Sequence, residues 1–384
     1  MSRPRIVVVG LGDTGVLTAI ALRTHGDVVG ITAKPEFVSG QELGLRLARP
    51  EAWTRDYRIA YSRFRGLDRV RIVHGSATAL DTENRTVRVR LADGSAGDGS
   101  AGESSVVEEP YDVLVVATGV TNGFWRHPTL QDSRGVDADI LLPHQRLAAS
   151  RTVAIIGGGA AALSSAAQVA ERWPAKTVDV YFPGDRALPH HHHHVWDRVR
   201  TRLESLGVGL HPGHRAELPA GNGDGGCASP DGLDDDDDHL TSATVSWTTG
   251  QAPTTADVVI WAIGRVTPNT SWLPPEMLDD RGFVRVEPTL RVSGHSNVFA
   301  VGDVAATDPL RTSARNRGHL LVARNIRAHL QGRPLRDGLI VFTPPGRGVR
   351  VPAPASDVVL QRLITHQVIY GGVRKRDRRA RRTQ

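Results

Sequence analysis

The amino-acid sequence predicts an α/β protein with two doubly wound parallel sheets, and two observations lead to this class. A strand, a glycine turn and a helix of small residues begin at Arg5 (RIVVVGLGDTGVLTAIAL), and the pattern returns at Thr152 (TVAIIGGGAAALSSAAQVA). Each helix is followed by a second apolar strand, over 27–33 and 178–182. A repeated β-α-β unit is typical of parallel sheets covered by helices. The sequence therefore predicts one such sheet in each half of the chain.

Further apolar runs predict additional strands, which we expect to pair in antiparallel fashion: 70–73, 86–91, 113–117, 258–262 and 298–301. A helix is predicted over 313–330. Two inserts, 93–105 and 221–238, are rich in small and acidic residues and predict solvated loops. The histidine run 190–194 is also predicted to lie on a loop, between a strand and a helix. Because no matching ligand set accompanies this run, the sequence assigns no metal site.

Length and composition exclude several classes of protein. The chain has 384 residues, of which 40% are hydrophobic and 23% are charged, as in ordinary soluble domains. A single cysteine, Cys227, excludes an intramolecular disulfide, a dithiol redox centre and a cysteine-rich zinc module. No apolar run reaches the ~18 residues that a membrane-spanning helix needs. The chain begins almost directly with a strand-like run, so we expect no signal peptide and a cytoplasmic location.

The positive charge is concentrated at one end of the chain. The formal net charge is +6, and the segment 374–382 holds six Arg and one Lys against Asp377, which gives 7 − 1 = +6. The rest of the chain is neutral overall, so nucleic acid is not an expected partner. Before this segment, apolar residues between Val358 and Val368 recur at helical spacing. They predict a helix docked on the body or in an oligomer interface; the alternative is peripheral contact with the inner face of the membrane.

The first glycine turn has the pattern Gly10-x-Gly12-x-x-Gly15, directly after a strand and at the start of a helix. In this context the pattern predicts a dinucleotide site, because the backbone can approach a pyrophosphate at the positive end of the helix. The acid expected ~20 residues further on, for a ribose hydroxyl, is missing. Thr32 and Lys34 stand there instead. Thr32 can bond a hydroxyl, and Lys34 can face a phosphate.

The second glycine turn, Gly157-x-Gly159-x-x-Ala162, is the alanine-ended variant of the same pattern. After its second strand, Asp185 could bond a ribose hydroxyl, whereas Arg186 could pair with a 2′-phosphate. The choice between NADH and NADPH therefore stays open. Two dinucleotide sites in one chain predict hydride transfer from a nicotinamide to a flavin, because these cofactors carry the reaction themselves.

Five motifs in order make a resemblance to a known family specific: VVVGLGDTG, YDVLVVATGV, VAIIGGGAAA, DVVIWAIGR and VFAVGDVA. The chain resembles the flavoproteins of the pyridine nucleotide-disulfide oxidoreductase superfamily, which have two Rossmann-like domains. The resemblance implies an FAD-binding domain in two parts, 1–148 and 267–332. It also implies an inserted NAD(P)H-binding domain, 149–266, and a short C-terminal segment, 333–384.

The resemblance also implies roles for residues in these motifs. The first turn would bind FAD together with Thr118, Gly119, Gly302, Asp303 and Ala314, and Asp303 would bond the ribityl chain of the flavin. The second turn would bind NAD(P)H together with Ile263 and Gly264.

The segment 35–43 lacks the cysteine pair of the thiol reductases, so their activities are excluded. The chain is more similar to the thiol-free branch of type II NADH dehydrogenases, apoptosis-inducing factor and the ferroptosis suppressor protein. In that branch the helix after the Gly-Asp motif lines the acceptor site, which makes Asn316 and Arg317 candidates. Ser164 is a third candidate, because the branch often has a glutamate at this position near the nicotinamide. Arg317 could stabilise an anionic reduced flavin or a charged acceptor.

The sequence thus predicts an FAD-dependent NAD(P)H:acceptor oxidoreductase without a cysteine relay. The expected acceptor is a quinone or a small redox carrier. One alternative is a ferredoxin or rubredoxin reductase, or a flavoenzyme of specialised metabolism. The other alternative is a redox-sensing interaction protein, in which the nucleotide state controls binding to a partner. The oligomeric state stays open.

Overall fold

The computed structural model describes residues 3–92, 105–121, 126–189, 191–217, 243–264, 266–307 and 317–337. The helices in these ranges are α1 (Asp13–Leu22), α2 (Leu43–Ala48), α3 (Pro50–Tyr57), α4 (Ser133–Ala149), α5 (Ala160–Arg172), α6 (His193–Ser205) and α7 (Gly318–Leu330). The strands up to the second glycine turn are β1 (Arg5–Val9), β2 (Asp27–Thr32), β3 (Phe37–Val38), β4 (Arg58–Ile59), β5 (Val70–Asp81), β6 (Thr86–Leu91), β7 (Val106–Pro110), β8 (Val113–Val116), β9 (Val120–Thr121) and β10 (Thr152–Ile156). The later strands are β11 (Thr177–Tyr181), β12 (Gly209–His211), β13 (Ala243–Val245), β14 (Thr254–Ala256), β15 (Val258–Trp261), β16 (Thr267–Pro268), β17 (Val284–Arg285), β18 (Val298–Ala300) and β19 (Ala305–Ala306).

The first sheet has seven strands in the order β18-β8-β1-β2-β5-β6-β7. Its first five strands are parallel, and β6 and β7 add an antiparallel edge. β1 lies inside the sheet, where Val7 pairs with Val29 on one side and with Leu114 on the other. Residues 6–9 are fully or almost fully buried. This burial explains the unbroken apolar run, because strands covered on both faces do not alternate with polar residues.

The second sheet has four parallel strands in the order β12-β11-β10-β15. All of them come from residues 152–261, whereas the first sheet takes its strands from 5–116 and 298–300. The second sheet is therefore formed by chain that lies between two parts of the first. The α/β class with two doubly wound parallel sheets is confirmed.

Several sequence predictions need correction. The runs 113–117, 258–262 and 298–301 were expected to be antiparallel, but β8, β15 and β18 pair in parallel. The reason is their burial, which is complete except at Trp261, since a short apolar run with no polar alternation fits a parallel sheet. Antiparallel pairing holds for β5 with β6, whereas β5 pairs in parallel with β2 on its other side.

The helix expected over 313–330 begins at Gly318 within the described chain. Its N-cap residue, Arg317, has φ +61° and ψ +30°, a left-handed conformation that a helix cannot continue through. The histidine run does not lie wholly on a loop, since His192 caps α6 and the next two histidines form its first residues. The start of α6 is capped there, because Nδ1 of His192 accepts a hydrogen bond from the backbone N–H of His194 at 3.4 Å.

The two halves of the molecule are joined through α2 and α5. Leu43 and Leu47 of α2 belong to the hydrophobic core of the second sheet, although α2 lies in sequence between β2 and β5 of the first sheet. The helices approach so closely that a Cβ atom on Gly44 would lie 2.6 Å from the carbonyl oxygen of Ser164. The start of α5 is therefore held against the segment that follows β3.

Some predictions concern residues outside the described ranges. These are most of the two inserts, with Cys227, the candidates Ala314 and Asn316, His190, and the helix and basic segment after residue 337. Within the described ranges, no helix has the length and apolar content that a membrane crossing requires.

Candidate functional site

The first glycine turn is closed by the neighbouring strand and leaves no room for side chains at two positions. Gly10 has φ +95°, and a Cβ atom on it would lie 2.4 Å from the carbonyl oxygen of Ala117. A Cβ atom on Gly15 would lie 1.8 Å from the carbonyl oxygen of Gly10. At Gly12, in contrast, a Cβ atom would meet nothing within 4 Å. The turn therefore offers bare backbone to open space at the start of α1, as a bound pyrophosphate requires.

An aspartate stands in the first turn of α1, where a phosphate would meet it. The Asp13 carboxylate accepts the Ser39 hydroxyl at 2.8 Å and the backbone N–H of Gly40 at 3.2 Å. Burial raises the pKa of Asp13, and the Ser39 hydrogen bond opposes that rise. The carboxyl group is thus turned towards residues 39 and 40.

Arg126 brings a positive charge to the same place. Its Nη2 donates to Oδ2 of Asp303 at 2.9 Å, and its Nε would lie 2.4 Å from a Cβ atom on Gly40. Gly302, with φ +89°, faces the side chain of Thr14 in α1. The predicted residues Gly302 and Asp303 are therefore brought to the start of α1. Sequence reasoning missed Arg126, because it belongs to no motif in a chain where arginine is common.

Thr32 and Lys34 are held by protein partners at the end of β2. The Thr32 hydroxyl lies 3.0 Å from the Tyr61 hydroxyl and accepts the backbone N–H of Lys34 at 3.2 Å. Lys34 Nζ donates to the carbonyl oxygen of Thr129 at 3.1 Å and to the side chain of Gln131. Burial lowers the pKa of Lys34 to about 8, against the opposing charge of Asp139. Thr32 and Lys34 thus lie at the end of β2, outside the first glycine turn, and both belong to one network of polar groups.

The predicted Thr118-Gly119 pair is tied to chain that follows the second sheet. The Thr118 hydroxyl donates to the carbonyl oxygen of Asn269 at 2.8 Å, and the Asn269 amide donates to the carbonyl oxygen of Thr118 at 3.1 Å. Gly119 has φ +67°, so the chain can turn sharply after β8. Asn269 fixes this segment and was not predicted, because nothing in the sequence relates positions 151 residues apart.

The second glycine turn repeats the first with one change. Gly157 has φ +140°, and a Cβ atom on it would lie 2.2 Å from the carbonyl oxygen of Ala262, while Gly159 opens to free space. The third position is Ala162, whose methyl group is fully buried. Gly264 has φ +75°, and the Ile263 side chain is 37% exposed. This turn has the same bare backbone at the start of α5, so it also fits a dinucleotide.

The segment after β11 carries the two candidates for ribose or phosphate contacts. Phe182, the residue directly after β11, is buried and packs edge-on against Trp196 at 5.6 Å. Asp185 is exposed and Arg186 half-buried. The Arg186 guanidinium donates to the carbonyl oxygens of Pro189, at 3.1 Å, and His191, at 3.0 Å. Arg186 thus closes the loop that leads into α6.

The acceptor-site candidates lie on α5 and at the start of α7. Ser164 is half-buried where α5 meets Gly44, and Arg317 is exposed. His319 is buried, and burial together with the Arg317 charge lowers its pKa to about 4, so its ring is neutral near pH 7. Leu320, in the same helical turn, is 48% exposed. The start of α7 therefore presents the positive charge of Arg317 and the exposed apolar side chain of Leu320.

Two turns of this geometry, each facing an Ala-x-Gly segment on the adjacent parallel strand, define an oxidoreductase fold with two dinucleotide sites. A family model for pyridine nucleotide-disulphide oxidoreductases matches residues 4–324, and the chain belongs to this family. The resemblance predicted from the sequence is confirmed. The family is a class of FAD-dependent NAD(P)H oxidoreductases, and FAD and NAD(P)H are the two cofactors that these turns fit.

Individual relatives agree with this membership. The chain is 27% identical over 272 residues to Oxidoreductase ptaL of Pestalotiopsis fici, covering 70% of this chain and 65% of that protein. It is 21% identical over 333 residues to Apoptosis-inducing factor homolog B of Dictyostelium discoideum, covering 84% and 80%. NDH2 from Plasmodium falciparum, solved in complex with NADH, has a similar fold, with a TM-score of 0.57 at 15% identity over 79% of this chain and 64% of that one. The chain therefore spans less than two thirds of ptaL.

Proposed function

We propose that the protein is an FAD-dependent NAD(P)H:acceptor oxidoreductase in which the first turn holds FAD and the second holds NAD(P)H. The observation that carries this proposal is the pair of equivalent glycine turns, one at the end of β1 in the first sheet and one at the end of β10 in the second. The two sheets are joined through α2 and α5. FAD, when bound, supplies the chemistry that couples a two-electron donor to the acceptor. The protein's own groups then have to bind, orient and shield the two nucleotides.

In the first site, the backbone at Gly10, Gly12 and Gly15 and the N–H groups of α1 hold the pyrophosphate. Arg126 supplies the positive charge beside it. Asp303 bonds the ribityl hydroxyls after releasing part of its ion pair with Arg126. Further contacts come from the other candidates of this site, namely Thr32, Lys34, Thr118, Gly119, Gly302 and Ala314.

In the second site, Gly157, Gly159 and Ala162 with the start of α5 hold the NAD(P)H pyrophosphate. Asp185 accepts a ribose hydroxyl, or Arg186 pairs with the 2′-phosphate of NADPH. Ile263 and Gly264 border the nicotinamide end, where an apolar side chain helps to exclude water. The exposed position of Asp185 and the half-burial of Arg186 support contacts with an exchangeable ligand.

For the acceptor we propose a quinone, reduced without a cysteine relay. The segment before α2 contains no cysteine, so no thiol on it can carry electrons. The exposed Leu320 and Ile263 favour an apolar acceptor ring, and Arg317 can stabilise the negative charge of a reduced species. Asn316 and Ser164 are the remaining acceptor-site candidates. A small protein carrier is the second candidate, because an exposed Arg317 would also suit an acidic surface.

Steady-state assays test the acceptor. Purified protein loaded with FAD receives NADH or NADPH, with a soluble quinone, a ferredoxin or oxygen as acceptor. We expect the quinone to give the highest kcat/KM, and Leu320→Asn to lower it at least ~10-fold while oxygen reduction changes little. Turnover with ferredoxin that exceeds turnover with every quinone would contradict the quinone proposal. Co-sedimentation with anionic lipid vesicles, with and without residues 358–384, tests the alternative of peripheral membrane contact through this segment.

A further inference from the structure

The histidines at the start of α6 form a cluster that the oxidoreductase function does not use. The side chains of His192, His193 and His194 are exposed, and their candidate ligand nitrogens all lie within 4.8 Å of one another. Their ring centroids are 4.2, 4.1 and 5.0 Å apart. Around a tetrahedral zinc ion with Zn–N distances of about 2.0–2.1 Å, nitrogens lie about 3.3 Å apart. Small side-chain rotations therefore suffice to bring the three rings onto one ion.

A carboxylate lies beside one of these imidazoles. Asp197 lies one helical turn after His194, and its Oδ2 is 3.7 Å from His194 Nδ1. A metal-ligating imidazole is commonly oriented by a carboxylate, or shares the ion with one. The negative charge of Asp197 also offsets the positive end of α6, which by itself would oppose a bound cation. Three imidazoles and one carboxylate form a donor set that suits zinc and its transition-metal neighbours.

The cluster is mechanically linked to the second nucleotide site. Arg186, the candidate partner of a 2′-phosphate, donates to the carbonyl oxygens of Pro189 and His191, directly before the cluster. A phosphate that pairs with Arg186 through Nη1 and Nη2 would draw its guanidinium away from these two carbonyls. An ion on His192 fixes the end of the same loop and so favours the arrangement in which Arg186 stays on them. Metal and phosphate would thus compete through one side chain.

We propose that His192, His193, His194 and Asp197 bind a divalent transition-metal ion, and that the bound ion weakens binding of a 2′-phosphorylated nicotinamide nucleotide through Arg186. The second part rests on the proposed function of the second turn; the first part does not. By thermodynamic reciprocity, NADP⁺ must weaken metal binding by the same factor. NAD⁺, which has no phosphate at this position, leaves the metal affinity unchanged.

The metal site is tested with full-length FAD-loaded protein purified without metal-affinity chromatography and treated with a chelator. Co²⁺ absorption and Zn²⁺ calorimetry at pH 7.5 should give one ion per chain with micromolar affinity. The triple variant His192→Gln/His193→Gln/His194→Gln should lose at least ~30-fold in affinity, and Asp197→Asn about 3–10-fold. The matched control His190→Gln/His191→Gln keeps the cluster and should change affinity less than ~3-fold. Equal losses in the triple variant and this control, or several equivalent ions per chain, would overturn the site.

The link to Arg186 is tested by calorimetry with NADP⁺ and NAD⁺, which avoid turnover. Saturating Zn²⁺ should raise the Kd of NADP⁺ about 5-fold and leave that of NAD⁺ unchanged. Arg186→Ser should abolish the difference between the two nucleotides, and the variant should still bind one Zn²⁺ ion per chain. NADP⁺ affinity that is the same with and without Zn²⁺ would overturn the link. If neither nucleotide binds, the second turn is not a nicotinamide site and the link fails with it, whereas the metal titration still decides the metal site.

Discussion

The two glycine turns have a similar backbone conformation but differ in the residues that surround them. In both, the first glycine has positive φ and packs on the carbonyl oxygen of an alanine in the adjacent strand. The first turn is then enclosed by a half-buried acid, Asp13, and by the Arg126–Asp303 ion pair. The second turn is followed by Asp185, which is exposed, and by the half-buried Arg186. This difference suits a resident cofactor at the first turn and an exchangeable one at the second.

The largest effect is expected at the third position of the two turns. Gly15→Ala places a methyl group 1.8 Å from the carbonyl oxygen of Gly10, so the turn has to open. We expect loss of bound FAD and destabilisation by ~3 kcal/mol or more, measured by flavin content and thermal unfolding. The reciprocal change, Ala162→Gly, only removes a methyl group and should keep both properties close to those of the wild type. Full FAD content in Gly15→Ala would contradict the proposed difference between the third positions of the two turns.

The second turn can be damaged alone. Gly157→Ala combines φ +140° with a contact of 2.2 Å to the carbonyl oxygen of Ala262. We expect the protein to stay yellow while the Kd for NAD(P)H, measured by anaerobic flavin reduction, rises at least ~10-fold. Loss of flavin from this variant, with NAD(P)⁺ binding by calorimetry unchanged, would mean that the two sites have been assigned in the wrong order.

The charge beside the first turn should have a moderate effect. Arg126→Gln removes the cation near Asp13 and Asp303, so two acids face the pyrophosphate without compensation. We expect the affinity of the apoprotein for FAD to fall about 10–100-fold, measured by quenching of flavin fluorescence. The control Arg134→Gln changes an exposed arginine on α4 and should have no effect. Equal affinity in the two variants would remove Arg126 from the site.

The smallest effect concerns pH and Lys34. In the folded protein burial lowers the pKa of Lys34 to about 8, whereas in the unfolded chain this pKa is 10.5. Between these values the unfolded state binds more protons, so the wild type gains stability as pH rises through this window. Lys34→Met lacks this gain. The wild type should therefore improve relative to the variant by on the order of 1–2 kcal/mol from pH 7.5 to pH 10, measured by urea unfolding. A difference that is constant with pH would contradict the lowered pKa of the half-buried Lys34.

Local patterns were sufficient to predict the two sheets and both turns. Strand burial, the glycine spacing and the order of the motifs are all properties of short segments, and the structure agrees with them. The direction of strand pairing was predicted less well. The sequence of an apolar run such as 113–117 does not indicate which strand it pairs with. The start of α7 was misplaced because the left-handed backbone of Arg317 has no signal in the sequence.

The parts of the site that could not be predicted depend on long-range contacts. Arg126 meets Asp303 across 177 positions, and Asn269 meets Thr118 across 151. The cluster on α6 was read as a loop, because consecutive histidines do not indicate that their rings converge. Only the fold shows that Arg186 closes the loop directly before them.

The central claim is that electrons pass between the two nucleotides with no sulfur between them. The most direct measurement is anaerobic stopped-flow reduction of the bound flavin by NADH and NADPH, in the wild type and in Cys227→Ser, which removes the single cysteine. We predict that the flavin is bleached in both proteins. With a given nucleotide, the wild type and Cys227→Ser should be reduced at the same rate. A variant that no longer bleaches, or a wild-type flavin that neither nucleotide reduces, would contradict the claim.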